Sequence, residues 1–280
     1  MTDLYAVVGD PIAHSKSPLI HRLFAEQTGQ DLVYEAIRID SEETHFRRAV
    51  SELMAKGYRG LNITVPYKLD AFEFADQCSD RAQIAHAVNT YQFKNGQILG
   101  DNTDGVGLVM DIEQNAGVAF QDKRLLILGA GGAVQGVLQP ILEKRPGLVH
   151  IANRTAKRAE VLGQRFTTDI PIRASGWEDI PVPDGGYDMI INGTSASLEG
   201  KLPPVSGDVL GAESLVYDMM YGTEPTVFMN WAKGVQPQCR TRDGLGMLVG
   251  QAAEAFYLWR GVRPDTASVI NSVRETLARS

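Results

Sequence analysis

The chain has 280 residues, of which 44% are hydrophobic, and 27 basic against 34 acidic side chains give a net charge of −7. This length predicts roughly two globular domains, and the acidic balance argues against nucleic acid as a partner. No stretch approaches the ~18 apolar residues of a membrane span, and the N-terminus lacks the positive charge of a signal peptide, so we expect a cytoplasmic protein. Cys78 and Cys239 lack the spacing of a metal or redox motif, so we expect no metal site.

The first part of the chain alternates strand and amphipathic-helix patterns. This order predicts parallel strands covered by helices. Asn95-Gly96 between two apolar runs is a strong hairpin signal, so the sheet is predicted to be mixed. The predicted elements are strands 4–8, 32–39, 61–65, 88–93 and 97–99 and helices 18–27 and 42–56.

A glycine-rich turn follows the apolar run 125–128. It reads Gly129-Ala130-Gly131-Gly132-Ala133, and a second apolar run ends in Asn153-Arg154-Thr155. Glycines without Cβ let the backbone turn sharply and approach a pyrophosphate, which the N–H groups opening the next helix would bind. Val134 stands at the third glycine position of the strict G-x-G-x-x-G, and tight strand-to-helix packing is the structural alternative.

The residues after the second strand indicate which dinucleotide is bound. An NAD site places an acid there to accept hydrogen bonds from the ribose, whereas a 2′-phosphate needs cations. Arg154 and Arg158 are four residues apart, so they share one face if Thr155 or its neighbour opens a helix, and Lys157 adds positive potential. The pattern favours NADP, and a solvated helix face is the alternative.

The rest of the chain continues the α/β pattern. Motifs typical of a substrate site all precede Asp104, and Asp243-Gly244-Leu245-Gly246 reopens a helical pattern. We therefore predict an N-terminal mixed α/β substrate domain of residues 1–104 and 241–280 and a Rossmann-like doubly wound domain of residues 105–240. The remaining predicted elements are helix 106–114, strands 189–192 and 215–219, and helices 247–259 and 268–278.

Ser15 and Ser17 lie in the polar cluster His14-Ser15-Lys16-Ser17-Pro18. Alternate serines on an extended segment would present two hydroxyl groups on one side, a geometry suited to a carboxylate. Simple N-capping of the next helix by Ser17 is the alternative.

Lys68 and Asp104 lie at the ends of predicted elements. Thr64 alternates with Ile63 and Val65, which we expect to be buried, and Pro66 ends that strand before Lys68. A lysine and a carboxylate that contact the same alcohol can move its proton while hydride leaves its carbon. The alternatives are a solvated lysine and an aspartate that only caps the following helix.

Motifs with a recognisable order cover nearly the whole chain. They are Ser15-Lys16-Ser17, Asn62-Ile63-Thr64-Val65-Pro66-Tyr67-Lys68, Ala87-Val88-Asn89-Thr90, Gly100-Asp101-Asn102-Thr103-Asp104-Gly105, Gly129-Ala130-Gly131-Gly132-Ala133, Asn153-Arg154-Thr155, and Asp243-Gly244-Leu245-Gly246-Met247-Leu248-Val249-Gly250-Gln251. Together they resemble the shikimate dehydrogenase family. The resemblance implies a reversible, NADP-dependent interconversion of 3-dehydroshikimate and shikimate in the pathway to aromatic amino acids.

The resemblance also implies roles for single residues, by their matching positions. Lys68 and Asp104 would form the acid/base pair. The implied substrate contacts are Ser15 and Ser17 to the carboxylate, Thr64, Asn89 and Gln251 to ring hydroxyls, and Tyr217 as a further contact. The implied cofactor contacts are the glycine turn 129–133, Asn153, Arg154 and Thr155, to which the four-residue spacing adds Arg158. The strand end 192–195 would lie beside the cofactor, and Met247 near the nicotinamide.

The chain departs from the family pattern at a few positions. The family often has glycine at His86 and Ser197 and alanine at Leu61 and Gly193. The segment Leu61-Asn62-Ile63-Thr64 resembles the quinate/shikimate branch, so a quinate/shikimate dehydrogenase that prefers NAD is one alternative. A non-catalytic NADP-binding sensor is another. We expect a small-molecule substrate and a monomer or homodimer.

Overall fold

The computed structural model describes residues 2–40 and 45–279, which form two compact units. The first unit comprises Met1–Gly107 and Leu248–Ser280, and the second comprises Leu108–Met247. The domain boundaries expected after residues 104 and 240 fall a few residues before these edges. The assignment of the substrate to one unit and the cofactor to the other stays a prediction.

Strands and helices alternate over most of the first unit. The predicted helix 42–56 begins at Phe46 within the described residues, and its positions 42–44 lie outside them. The elements are β1 (Asp3–Gly9), α1 (Ser17–Thr28), β2 (Leu32–Arg38), α2 (Phe46–Ala55), β3 (Tyr58–Ile63), α3 (Lys68–Phe74), β4 (Gln77–Cys78), α4 (Asp80–Ala85), β5 (Thr90–Lys94), β6 (Gln97–Asp101) and α5 (Asp104–Met110).

The sheet of the first unit is mixed, as predicted. Its six strands follow the order β2-β1-β3-β5-β6-β4, with β1 parallel to β2 and β3, and with β5 antiparallel to β3 and β6. The β5–β6 hairpin turns at Asn95 and Gly96, whose φ values of 53° and 78° are those of a type I′ turn. The strand predicted to reach Val65 ends at Ile63, and Val65 is 60% exposed rather than buried.

Each face of this sheet carries an apolar core. One core joins strands β1, β3 and β5 to the buried faces of α2 and α3, with Val50, Leu61 and Tyr91 fully enclosed. On the other side aromatic rings from β1, β2 and α1 pack with one another and with Phe256 and Trp259. Enclosure on both faces fixes the ends of β3 and β6, where the polar motifs lie.

The second unit has one parallel sheet. Its central strands are buried on both sides by apolar clusters, which explains why runs such as 125–128 are continuously apolar. The elements are β7 (Arg124–Leu128), α6 (Gly132–Glu143), β8 (Leu148–Ala152), α7 (Ala156–Gly163), β9 (Ile172–Ser175), β10 (Tyr187–Asn192), β11 (Leu210–Asp218), α8 (Val227–Val235), β12 (Arg240–Asp243), then α9 (Leu245–Arg260) and α10 (Thr266–Arg279), which lie largely in the first unit.

The strand order in this sheet is β12-β11-β10-β7-β8-β9. Chain order reverses at β7, as in a doubly wound fold, so the Rossmann-like prediction is confirmed. The helix predicted over 106–114 ends as α-helix at Met110 and continues as a π-helical segment, Asp111–Asn115. Among the described helices, none is both long and apolar enough to traverse a bilayer.

Candidate active site

Lys68 and Asp104 form an ion pair in the first unit. Lys68 opens α3 just after β3, and Asp104 opens α5 just after β6. The distance from Lys68 Nζ to Asp104 Oδ2 is 2.5 Å, and the two side chains are 25% and 9% exposed. The structure therefore brings together the two residues that the sequence predicts as an acid/base pair, and it leaves Lys68 accessible.

Asn89 lies between Asp104 and Gln251. Its Nδ2 donates to Asp104 Oδ1 at 2.8 Å, to Thr103 Oγ1 at 3.0 Å and to Gln251 Oε1 at 3.4 Å. The backbone N–H of Asp104 donates to Asn102 Oδ1 at 3.2 Å. Lys68 and Asn89 thus bond to the two oxygens of the Asp104 carboxylate, and two of the predicted substrate residues, Asn89 and Gln251, share one polar cluster with Lys68.

The segment that carries Ser15 and Ser17 is not extended. Ser15 N donates to the Ile12 carbonyl at 3.0 Å, and Lys16 has φ −89° and ψ −5°. The prediction of an extended segment is therefore wrong, because Ser17 is already the first residue of α1 and its N–H bonds to Ser15 Oγ at 3.3 Å. Ser15 is half-buried and Ser17 is buried.

Thr64 follows β3 directly. Its backbone N–H donates to the Val8 carbonyl at 3.0 Å, and its methyl group lies where a side chain at Gly9 would have to sit. The glycine at position 9 is therefore required for the close approach of the two segments. Thr64 is half-buried, four residues before Lys68.

Tyr217 is fully buried within the second unit. Its hydroxyl donates to Asp111 Oδ2 at 2.7 Å, and burial together with the Asp111 charge raises the pKa of Tyr217 well above its usual value. Arg242 Nη2 donates to Asp111 Oδ1 at 2.6 Å. Contact between Tyr217 and a substrate stays a prediction. Sequence reasoning missed Asp111, although an acid among Leu108, Val109 and Ile112 signals a buried partner for a cation.

Two glycines of the segment 243–246 are required by close packing. A Cβ at Gly244 would collide with the Met219 carbonyl, and one at Gly246 would collide with the Asp111 carboxylate. These glycines bring the start of α9 against the end of β11. That contact places Met247, which packs against the core of the second unit.

The glycine turn after β7 leaves open space at the start of α6. Gly129 has φ +108°, which favours glycine, and its N–H bonds to the Ala152 carbonyl. A Cβ built at Gly131 or Gly132 would have no atom within 4 Å, and no side chain caps the helix. This open, uncapped helix start fits a pyrophosphate, because it offers backbone N–H groups without an anionic competitor.

Arg154 and Arg158 are exposed after β8. Thr155 is the N-cap of α7, so Arg154 precedes the helix. The prediction that Arg154 and Arg158 share one helix face is therefore wrong. Within the described residues neither arginine forms an ion pair, whereas Lys157 Nζ lies 3.1 Å from Glu160 Oε2. Asn153 Nδ2 donates to the Thr155 carbonyl at 2.9 Å, which holds the turn. Two cations remain available for an anion.

Buried hydrogen bonds fix the strand end at residues 192–195. Asn192 Nδ2 donates to Asp218 Oδ1 at 3.1 Å, and Thr194 Oγ1 donates to Asn192 Oδ1 at 2.7 Å. Ser197 Oγ donates to Asp218 Oδ2 at 2.6 Å, so the serine that departs from the family pattern supplies a partner to a buried acid. Burial raises the pKa of Asp218.

Three models of the shikimate dehydrogenase family match the chain. They are the shikimate dehydrogenase substrate binding domain at residues 7–91, shikimate / quinate 5-dehydrogenase at residues 111–199, and the shikimate 5′-dehydrogenase C-terminal domain at residues 244–274. The shikimate dehydrogenase (NADP(+)) of Hydrogenovibrio crunogenus is 73% identical over 277 residues, which is 99% of each chain. The chain belongs to the shikimate dehydrogenase family.

Solved structures of related enzymes have the same fold. The Ael1 enzyme of Pseudomonas putida is 47% identical with a TM-score of 0.91, covering 97% of this chain and 98% of its own. The shikimate 5-dehydrogenase of Thermus thermophilus in complex with NADP(H) and shikimate is 30% identical with a TM-score of 0.85, covering 99% and 100%. The family resemblance and the α/β fold predicted from the sequence are confirmed.

Proposed function

We propose that this chain catalyses the reversible NADP-dependent interconversion of 3-dehydroshikimate and shikimate. The observation that carries the proposal is the Lys68 Nζ to Asp104 Oδ2 contact of 2.5 Å, with Asn89 and Gln251 beside it. Because Lys68 remains partly exposed, its ammonium group can reach a bound hydroxyl or carbonyl oxygen. A relative with 73% identity is a shikimate dehydrogenase (NADP(+)), which supports both the substrate and the cofactor.

The dyad moves the proton of the reacting alcohol. In the reducing direction Lys68 donates a proton to the carbonyl oxygen as that oxygen gains charge, and in the oxidising direction the dyad takes the proton back. Asp104 holds the Lys68 ammonium and accepts a hydrogen bond from the substrate hydroxyl, so both groups are oriented before reaction. The nicotinamide ring of NADP, when bound, supplies or accepts the hydride.

The remaining polar side chains of the first unit bind the substrate. Ser15 and Ser17 hold the carboxylate, and Thr64, Asn89 and Gln251 hold ring hydroxyls. The hydrogen bond of 3.3 Å from Ser17 N to Ser15 Oγ supports the pairing of the two serines at the start of α1, where a helix N-terminus also favours an anion. Tyr217 is proposed as a further substrate contact.

The second unit binds NADP. The glycine turn 129–133 holds the pyrophosphate, Arg154 and Arg158 pair with the 2′-phosphate, and Asn153 and Thr155 shape the adenosine end. Met247 would lie near the nicotinamide of the bound cofactor. The two exposed cations without an ion-pair partner among the described residues support NADP over NAD, because an acid at this strand end would repel the 2′-phosphate.

Initial rates with each combination of shikimate or quinate and NADP or NAD test the proposal. We expect shikimate with NADP to give the highest kcat/KM. A faster reaction of quinate with NAD would instead assign the chain to the quinate/shikimate branch, and NADP binding without turnover of either alcohol would assign a sensor. Gel filtration and cell fractionation test the expected monomer or homodimer and its cytoplasmic location.

A further inference from the structure

A chain of buried hydrogen bonds leads from Asn62 on β3 to the dyad. Asn62 Nδ2 donates to Thr90 Oγ1 at 3.1 Å, and Thr90 Oγ1 donates to Asn89 Oδ1 at 2.9 Å. Asn89 Nδ2 then donates to Asp104 Oδ1 at 2.8 Å. Asn62, Thr90, Asn89 and Asp104 are 5%, 1%, 3% and 6% exposed, so water does not compete for these bonds.

Backbone groups fix which atoms donate and which accept at two points of this hydrogen-bond series. The Thr103 N–H, which can only donate, bonds to the Asn89 amide at 2.9 Å, so that atom must be Oδ1 and Nδ2 must face Asp104. The backbone carbonyl of Asn89 can only accept a hydrogen bond, and it lies 3.3 Å from one atom of the Asn62 side-chain amide. That amide atom must therefore be Nδ2. The donor and acceptor roles of both amides follow from these contacts.

Thr90 joins the two amides through one hydroxyl. Because its Oγ1 accepts from Asn62, its single proton is free for Asn89 Oδ1. Tyr34 completes the set by donating from its hydroxyl to Asn62 Oδ1 at 2.7 Å. If the side-chain amide of Asn89 were flipped by 180°, its Oδ1 would face the Asp104 carboxylate and two hydrogen-bond acceptors would oppose each other.

We propose that Thr90 and Asn62 are positioning residues for the reaction, which lock the Asn89 amide with its nitrogen toward Asp104. This inference rests on the proposed function. Among the described residues Thr90 forms no hydrogen bond to Lys68 or Asp104, so its link to the dyad runs through Asn89. Sequence reasoning missed both residues, although Asn62 between Leu61 and Ile63, inside a strand, signals a buried polar group with fixed partners.

Thr90→Val tests this role, because valine has nearly the shape of threonine and removes only the hydroxyl. We expect kcat for shikimate oxidation to fall about 10-fold with the KM for NADP unchanged. Thr90→Ser keeps the hydroxyl and should retain at least half of the wild-type kcat. Tyr5→Phe is the control, because it removes another buried hydroxyl of the same sheet. That hydroxyl bonds to Arg260 and is not part of the hydrogen-bond series from Asn62 to Asp104.

The decisive comparison repeats Thr90→Val in an Asn89→Ala background. If Thr90 acts through Asn89, its loss there changes kcat less than twofold, whereas a merely structural role lowers kcat equally in both backgrounds and overturns the inference. Thr90→Val with wild-type kcat also overturns it. Thr90→Ala replaces the valine variant if that variant does not fold. Failure of the wild type to oxidise shikimate would instead reject the proposed function, and this inference with it.

Discussion

Val134 occupies the space that a side chain at Gly193 would need. A Cβ at Gly193 would lie 2.5 Å from Val134 Cγ2 and 3.3 Å from Met219 Sδ. Val134 is fully buried in the first turn of α6, at the third glycine position of the motif. Two departures from the expected pattern, a valine in the turn and a glycine after β10, therefore compensate each other.

This relationship predicts that Gly193→Ala destabilises the second unit by about 1–3 kcal/mol, because the buried valine cannot move away. Val134→Ala removes the clash. We expect the double variant to be more stable than the sum of the two single effects by at least about 1 kcal/mol. Urea unfolding of the four proteins measures this coupling, and strictly additive effects would show that the two positions do not compete for one space.

His86 follows α4 with φ +49°, in the left-handed region that favours glycine. Its ring is exposed and makes one tilted contact with Phe72 at 5.2 Å, so little packing is lost on its removal. We expect His86→Gly to stabilise the first unit by about 0.5–1 kcal/mol relative to His86→Ala. The alanine variant keeps the backbone penalty and is the matched control. Equal stability of the two variants would mean that the backbone conformation carries no cost.

His21 makes the stability of the first unit depend on pH. Its ring is fully buried against Tyr34 at 4.1 Å, neither ring nitrogen has a partner among the described residues, and burial lowers its pKa from 6.5 to about 3. The unfolded chain therefore binds a proton that the folded chain does not, and the stability present above pH 6.5 is lost progressively as the pH falls toward 3.

His21→Phe should remove this dependence. We expect the variant to gain stability over the wild type by up to about 1.4 kcal/mol per pH unit below the unfolded pKa. His150 in the second unit, with its pKa lowered to about 4 by burial, titrates in both proteins and cancels in the difference. Denaturant unfolding between neutral and mildly acidic pH gives the difference, and a constant value across that range would reject the role of His21.

Arg154→Ala should weaken NADP binding. The exposed guanidinium has no ion-pair partner among the described residues, and its loss removes a charge-assisted contact to the 2′-phosphate, at a cost of about 1.5–3 kcal/mol. Binding of NAD should change little. Lys157→Ala is the matched control on the neighbouring helix, since Glu160 already pairs with that cation. An unaltered preference between NADP and NAD in Arg154→Ala would contradict the assignment.

Much of the fold is predictable from local patterns. The apolar run 125–128, the glycine turn after it and the Asn95-Gly96 hairpin each specify their conformation within a few residues. The strands and turns of the two sheets can therefore be predicted from local sequence patterns alone.

Predictions from local patterns were wrong where tertiary contacts determine the conformation or the partner of a residue. Val65 alternates correctly with Ile63, yet β3 ends first and Val65 is exposed. Lys16 adopts a helical conformation rather than an extended one, because α1 begins one residue earlier than expected. The hydrogen bond from Tyr217 to Asp111 joins residues 106 positions apart, and no sequence period reports such a partner.

The central claim is that Lys68 and Asp104 move the proton of a secondary alcohol. It is tested most directly by kcat for shikimate oxidation with NADP in Lys68→Ala, with Lys56→Ala as an exposed-lysine control. We expect kcat to fall about 10²–10⁴-fold in Lys68→Ala with the KM for shikimate little changed, and the control to match the wild type. A Lys68→Ala enzyme that keeps the wild-type kcat would contradict the account.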